Sequence, residues 1–420
     1  MKKMLLTTAA FALVAVSGIA LVPTKAEAFP AFARQTGAAC LSCHFQTFPA
    51  LNAFGRAFMM GSFTDVGDQA LVEDDNLSIP AVLNASFEVR GGATNTSSSG
   101  AAPSDTTYTI PNNARLFLAG RIGSNSGAVI VFTGKTPVWM FLNSWDVGDF
   151  KVGLSAQKSP WGGSNIMEGS NVFGHRGDKL GGQDISATTN SGFTKQTTSI
   201  GTWIGNDLGV VQVALLAPAS TTTGGTNVGL NFGKLIRAYA TLDVGGWDTL
   251  VGFGYVTGTA GKANGGASGP AAARIPMSLN FVYAQAQGEV GDMSIGVYGD
   301  WPHAKGKTSS MGTGNFYGVS EAFEAVGADN VAGNKFDAFS IRADIEPIDR
   351  FLFGVGYAYQ KMTRPGGDLT NKVFHLAATY KLYQNFDVNV VFNNEKLSDS
   401  IVPGNSGTTR TTIVEVDALM

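Results

Sequence analysis

Only two cysteines occur among 420 residues, and they stand three apart with a histidine directly behind the second: Cys40-Leu41-Ser42-Cys43-His44. Three chemistries use thiols at such spacing. A structural zinc site needs about four ligands, and the chain holds no further cysteine to complete one. A thioredoxin-like redox pair sits in a βαβ setting, and no such pattern surrounds this one. The remaining chemistry is attachment of a c-type haem. Two thiols add across the two vinyl groups of one porphyrin, and the adjoining imidazole is held against the iron. The spacing therefore predicts one haem c, covalently bound through Cys40 and Cys43, with His44 as proximal axial ligand.

The residues after the motif have the types a haem needs around it. Phe48, Leu51, Phe54 or Gly55, and Phe58 recur every three to four residues, which predicts one apolar stripe on a short helix. Pro49 suits its first turn and Gly61 its end. The stripe packs either on the haem or on the wall of a larger domain. For the distal iron position the candidates are Met59 and Met60, whose thioether would raise the reduction potential, and three further histidines, His175, His303 and His375. A methionine at a helix end is also an ordinary gap filler.

These residues must be carried to the right compartment and held there. Lys2 and Lys3, the apolar run from Ala9 to Val22 and Ala26-Glu27-Ala28 read as a signal peptide over residues 1–28, too short in its apolar part to span a bilayer. The mature chain then starts at Phe29. Removing Lys2, Lys3, Lys25 and Glu27 from 29 basic and 32 acidic residues leaves 26 and 31, so the net charge moves from -3 to -5. No basic block or basic helix is present, which excludes nucleic acid as a partner. Charged residues make up 15% and glycines number 54, against about 25% charged and about 7% glycine in ordinary soluble domains. Low charge, abundant glycine and aromatics, and no long apolar run after the signal point to a β-barrel in a membrane.

From about Ile79 the pattern changes to period two. Leu83, Ala85, Phe87 and Val89 alternate with Asn84, Ser86, Glu88 and Arg90; Phe351, Phe353, Val355, Tyr357 and Tyr359 alternate with Leu352, Gly354, Gly356 and Ala358. One face is apolar and aromatic, the other polar or very small, as in a barrel with lipid outside and water inside. About sixteen such segments start near residues 80, 113, 126, 137, 149, 196, 208, 232, 246, 274, 291, 335, 350, 371, 385 and 409. Short connections such as Asn206-Asp207 and Val290-Gly291-Asp292 alternate with long ones at 92–112, 159–195, 259–273 and 302–334, the asymmetry of periplasmic turns and outer loops. The last strand ends on Met420 rather than an aromatic residue. In this register Phe374, Leu376, Ala378 and Tyr380 face lipid while His375 and Lys381 face the lumen.

The predicted architecture is thus all-β. An antiparallel transmembrane barrel of about sixteen strands over 79–420 follows a small α-helical haem segment with its tether over 29–78. Phe32-Ala33-Arg34, the C-x-x-C-H motif and Pro49-Ala50-Leu51-Asn52-Ala53-Phe54-Gly55-Arg56-Ala57-Phe58 resemble the fused monohaem cytochrome-porins of iron-oxidising bacteria, the outer-membrane Fe(II) oxidases. That resemblance implies uptake of electrons from extracellular Fe(II), or another donor, and delivery through one haem to a periplasmic c-type cytochrome. The lumen, or its periplasmic mouth, is the expected place for the haem, because about fifty residues bury a porphyrin poorly on their own. Two other readings stand beside it: a diffusion porin with a structural haem plug, and a conduit running outward to an extracellular acceptor. Glu73, Asp74 and Asp75 are an acidic run that attracts Fe(II) or is simply solvated. No acid–base pair, catalytic triad or phosphate loop is present.

Overall fold

The computed structural model describes residues 31–47, 50–74, 77–99, 105–133, 136–159, 185–193, 197–218, 232–261, 274–309, 312–318, 323, 326–328, 330–383 and 385–420. The expected signal peptide, Phe48, Pro49, Asp75 and His175 lie outside them.

Three short helices open the described chain: α1 (Ala31–Thr36), α2 (Cys40–Cys43) and α3 (Ala53–Met60). A two-stranded hairpin, β1 (Leu71–Asp74) and β2 (Leu77–Pro80), follows. Eight strands then run β3 (Ala85–Ser98), β4 (Asp105–Gly123), β5 (Ser126–Thr133), β6 (Thr136–Val147), β7 (Phe150–Ser159), β8 (Thr197–Asn206), β9 (Gly209–Pro218) and β10 (Gly233–Val244). β11 (Trp247–Gly261), β12 (Arg274–Val290) and β13 (Met293–Lys305) come next, and a small hairpin, β14 (Lys307–Ser309) with β15 (Gly312–Gly314), interrupts the order. β16 (Lys335–Ile348), β17 (Phe351–Arg364), β18 (Gly367–Tyr383), β19 (Phe386–Asp399) and β20 (Gly407–Leu419) complete the set.

Sixteen of these strands, β3 to β13 and β16 to β20, form one closed antiparallel barrel. Closure comes from β20 pairing with β3, Leu419 opposite Glu88. Met420 exchanges two backbone hydrogen bonds of 2.7 Å with Phe87. Closure leaves the sixteen strands with no edge strand among them.

Side-chain alternation follows the expected register. Along β17, Phe351, Phe353 and Val355 are exposed on the outside while Leu352, Gly354 and Ala358 are buried within. Asn84, Ser86, Glu88 and Arg90 all point inward and are buried. At one end, seven connections are two residues long, from 124–125 to 384–385. Gly245 and Gly246 show why: both have positive φ, 63° and 85°, the backbone a tight hairpin between right-twisted strands requires. The long connections gather at the opposite end.

Two expectations need correction. The loop expected over 92–112 is mostly strand, because β3 runs on to Ser98 and β4 begins at Asp105. Its Thr, Ser and Gly residues carry no apolar alternation, so the period-two signal fades where the wall rises beyond its apolar band. The helix expected from Pro49 begins only at Ala53. Phe45 N donates to Ala50 O at 2.7 Å and His44 bridges Leu51 in antiparallel fashion, which folds the preceding residues back on themselves. Asn52 then caps the helix by accepting from Gly55 N at 2.9 Å, as asparagine commonly does.

Candidate functional site

α1 to α3 and the residues after them lie inside the barrel at its short-turn end. The contacts run around the whole circumference. Gln46 Nε2 donates to Ser294 O at 2.8 Å and to Asp344 O at 3.2 Å. Lys381 Nζ donates to Gln46 O at 2.9 Å and pairs with Glu346. Gln287 Nε2 reaches Leu51 O at 3.2 Å, and Ser62 Oγ reaches Ser144 Oγ at 2.8 Å. Arg56 Nη2 sits 2.8 and 2.7 Å from the two carboxylate oxygens of Asp248. Gln35 is fully buried. Its Nε2 donates to the carbonyls of Phe63 and Asp65, both at 2.6 Å, while its Oε1 accepts from Asn84 Nδ2 at 3.1 Å and Arg121 N at 2.9 Å. A buried amide satisfied on both ends holds position more firmly than an apolar contact of equal size.

Apolar packing adds to this anchoring. Phe32, Phe58 and Phe63 form an aromatic trio with centroids 4.8 to 5.6 Å apart; each such pair contributes about 0.5–1.5 kcal/mol beyond its buried area. Met59 and Met60 are buried beside Phe63 against Met140, Leu142, Trp203 and Val210 of the wall. The predicted stripe is therefore divided. Phe58 turns inward, while Phe54 stays 50% exposed.

Within this plug the C-x-x-C-H motif forms its own unit. Cys40 and Cys43 occupy the two ends of α2, one turn apart, and both thiols are free. His44 follows as the extended residue that ends the helix, its N donating to Cys40 O at 3.0 Å. α3 is clamped against the motif: Asn52 N donates to Cys43 O and Asn52 Nδ2 to Ser42 O, both at 3.0 Å. Gly55 makes that approach possible, since a Cβ there would meet Cys43 O at 2.1 Å. Burial pushes the Cys40 thiol above its ordinary pKa, opposed by a backbone hydrogen bond and aided by the Asp387 charge. Cys43 is raised by burial first, then by Cys40 and Asp65. Leu41 beside the thiols is 40% exposed. Two half-buried thiols one turn apart, an adjoining imidazole, and uncovered Leu41 and Phe54 are a donor set and an apolar surface that fit a c-type haem.

The distal candidates are placed unevenly. Met59 and Met60 lie on α3, the helix packed against the motif, and Met59 is one turn beyond Gly55. His375 points into the lumen as expected, 1% exposed, with Nδ1 2.7 Å from Asn393 Oδ1. It stands six residues along β18 from Lys381, the lysine that holds Gln46 of the plug, about 20 Å at strand rise. His303 faces the outside of the wall near the long-loop end and pairs with Asp337. Among the described residues no group of three or more His, Cys, Asp or Glu side chains is arranged to hold a bare metal ion.

One feature gave no sequence signal. Residues 185–193, from the long connection between β7 and β8, fold onto the inner wall. Asp300 accepts from Ser186 Oγ at 2.7 Å, Ala187 N at 3.2 Å and Thr188 N at 2.6 Å, and Ser340 Oγ completes its shell. Phe193, Tyr317, Phe323 and Phe336 join Leu216, Leu279 and Phe281 in an apolar cluster that narrows the lumen towards the long-loop end. Ser186-Ala187-Thr188 is an unremarkable tripeptide in sequence; only its partner Asp300, 112 to 114 residues away, reveals the role.

No known protein-family pattern matches the chain, and no curated protein sequence does. Solved structures resemble it in shape. OprB of Pseudomonas putida has a TM-score of 0.53 at 11% identity, covering 80% of this chain and 94% of its own. The outer membrane channel DcaP of Acinetobacter baumannii has a TM-score of 0.48 at 13% identity, covering 80% and 97%. The anion-selective porin of Comamonas acidovorans has 0.47 at 10%, covering 80% and 99%. At 11% identity the likeness to OprB is one of fold alone.

Proposed function

We propose that this chain is an outer-membrane electron-transfer protein. In this reading it carries one haem c on Cys40 and Cys43 with His44 axial, takes electrons from an extracellular donor, Fe(II) foremost, and passes them to a periplasmic c-type cytochrome. The observation that carries the reading is the docking of the C-x-x-C-H unit inside the short-turn mouth of a barrel whose outer face is apolar. An exposed apolar exterior, with Phe353 at 48% and Val251 at 50%, belongs in lipid. Short turns face the periplasm in such barrels, and in this reading the motif is at the periplasmic mouth and the long loops are outside the cell.

A bound haem supplies reversible one-electron chemistry. The chain's own residues supply position and access. Gln35, Gln46, Arg56 and Lys381 fix the plug to the wall. α3 and the Asn52 bonds hold Cys43 and His44 in one orientation. On the inner face Glu88 and Asp417 pair with Arg90, and Asp344 with Arg342, so the wall around the plug is held by ion pairs. On the periplasmic side, Asp146, Asp149, Asp207, Asp243, Asp292 and Asp349 are exposed in or beside the short turns. Lys151 and Arg350, basic residues at the same end, each lie against one of these carboxylates. An acidic face steers a partner with a lysine-rich face. The β1–β2 hairpin, with Glu73 held by Ser78 at 2.8 Å, is on this partner side, so Glu73 and Asp74 serve the periplasmic face rather than capture of external iron.

Anaerobic mixing of detergent-purified protein with Fe(II), followed by haem absorbance, tests the reading. Reduction of the haem by Fe(II) is expected; a mature chain without covalent haem stain on a denaturing gel ends it. The second reading, a diffusion porin with a structural haem plug, draws on the shape shared with OprB. Free passage of sugars in a liposome-swelling assay would favour it. An outward conduit predicts a midpoint potential too low for Fe(II) to act as donor.

A further inference from the structure

Six neighbouring strands carry an unusual feature on their outer face. Near the long-loop end, Lys305 of β13 stands directly opposite Lys335 of β16, and Lys372 of β18 directly opposite Lys396 of β19. All four side chains are exposed and point away from the lumen. Like charges directly opposed across a ladder repel, and one such pair is tolerable by accident; two on one patch call for a counter-charge. The neighbours supply little. Asp368 pairs with Lys361 at 2.8 Å, and Asp337, hydrogen-bonded to His303, is one carboxylate directly opposite Lys361 and diagonal to Lys305, fewer anions than the cations around them. Arg410 of β20, diagonal to Lys396 across the ladder, adds another exposed cation.

The height of the patch is informative. Lys361 lies ten residues from Phe351, Lys372 eleven from Tyr383 and Lys396 ten from Phe386, each counted from the short-turn end of its strand. About 9–11 tilted strand residues cross a hydrocarbon core, so the lysines stand at the outer interface. Lower on β16 to β19, beginning at Leu376 four residues below Lys372, is an outward-opening apolar groove of about 360 Å³. Small residues, Gly354, Ala377 and Ala378, leave its floor low between Phe353, Leu376 and Phe392. A slot for an alkyl chain below a patch with an excess of cations is complementary to one molecule: an amphiphile with a phosphorylated head and acyl tails.

We propose that the outer face of β13 and β16 to β20 binds a phosphorylated glycolipid of the outer leaflet, of the lipid A type. Its phosphates are held by the Lys305–Lys335 and Lys372–Lys396 pairs, and one acyl chain lies in the groove under Lys372. The inference rests on the outer-membrane placement proposed above and is independent of the haem. The choice of glycolipid over phospholipid follows from the patch lying at the long-loop end, where the outer leaflet is.

Native mass spectrometry of the full-length mature protein in detergent, titrated with bisphosphorylated lipid A, tests this. Lys305→Gln/Lys335→Gln/Lys372→Gln/Lys396→Gln is expected to retain at least tenfold less lipid A than the unaltered chain. Ala378→Phe, which fills the groove and leaves every charge in place, is expected to lower retention several-fold. The quadruple variant in lipid-free detergent is expected to unfold at a higher temperature than the unaltered protein, because opposed charges have been removed. Retention unchanged in both variants overturns the proposal, as does equal retention of the phosphate-free glycolipid. Phosphatidylglycerol bound as tightly as lipid A overturns the assignment to the outer leaflet. Sedimentation of the unaltered protein away from the outer-membrane fraction would instead overturn the placement of the barrel, an outcome separate from lipid retention in the detergent assay.

Discussion

At the scale of single residues, Cys40 and Cys43 combine exposure enough to react with burial enough to resist ionising. Their pKa values are raised, chiefly by desolvation, so at any given pH the haem-free folded protein holds less thiolate than a free cysteine would. Since the thiolate is the nucleophile, alkylation of the haem-free form by iodoacetamide should be slower than that of an unstructured peptide at pH 8. The rate should climb towards the peptide's only as pH rises past the shifted values; equal rates at pH 8 would show that the plug is not docked as described. The axial question is decided by potential. Thioether ligation raises the reduction potential of a c-type haem. If Met59 or Met60 ligates, replacing that one by leucine lowers the midpoint potential and leaves the covalent haem content unchanged. Both single variants at the unaltered potential would leave the methionines with packing alone, the role their shared cluster with Trp203 and Met140 already provides.

At the scale of elements, the wall was far more legible than the plug. Strand positions follow from a period of two repeated sixteen times, and a wrong register would turn every phenylalanine of β17 into the lumen. Thus the inward placement of His375 and Lys381 could be read from Phe374 and Leu376 alone. The motif was legible for a different reason: covalent chemistry fixes its spacing independent of the fold. What lay beyond reach were contacts between distant segments. Arg56 sits in an ordinary helical stretch, and nothing near it in sequence announces Asp248. Likewise the stripe from Phe48 to Phe58 could not reveal that Phe54 stays outside, because the helix start at Asn52 depends on the turn at Ala50. Two substitutions probe how the plug is held. Arg56→Ala leaves the partly exposed Asp248 without its guanidinium, and is expected to weaken docking by about 1–3 kcal/mol, below the range for fully buried pairs. Gly55→Ala forces α3 off Cys43 O. Both variants should cleave faster than the unaltered chain within residues 31–70 under limited proteolysis, while the barrel keeps its heat-modifiable gel mobility. A plug equally resistant in both would refute the clamp.

For the whole molecule, the decisive property is that the barrel is obstructed twice. At the short-turn end α1 to α3 are bonded to strands all around the lumen; towards the long-loop end residues 185–193, fixed by Asp300, and the cluster around Phe323 narrow it again. A sixteen-stranded barrel without such fillings is wide enough for an aqueous channel. Obstructions in series behave like resistances in series, so removing one leaves the other to limit flow. In planar bilayers the unaltered protein should therefore conduct well below an open barrel of its size. Asp300→Ala, which frees Ser186 and Thr188 from their carboxylate, and Arg56→Ala should each raise conductance only slightly, whereas the double variant should raise it several-fold. A large conductance from the unaltered chain would mean that water already passes both fillings. Solute diffusion would then be the better account of the barrel, with any haem reduced to a passenger in its mouth.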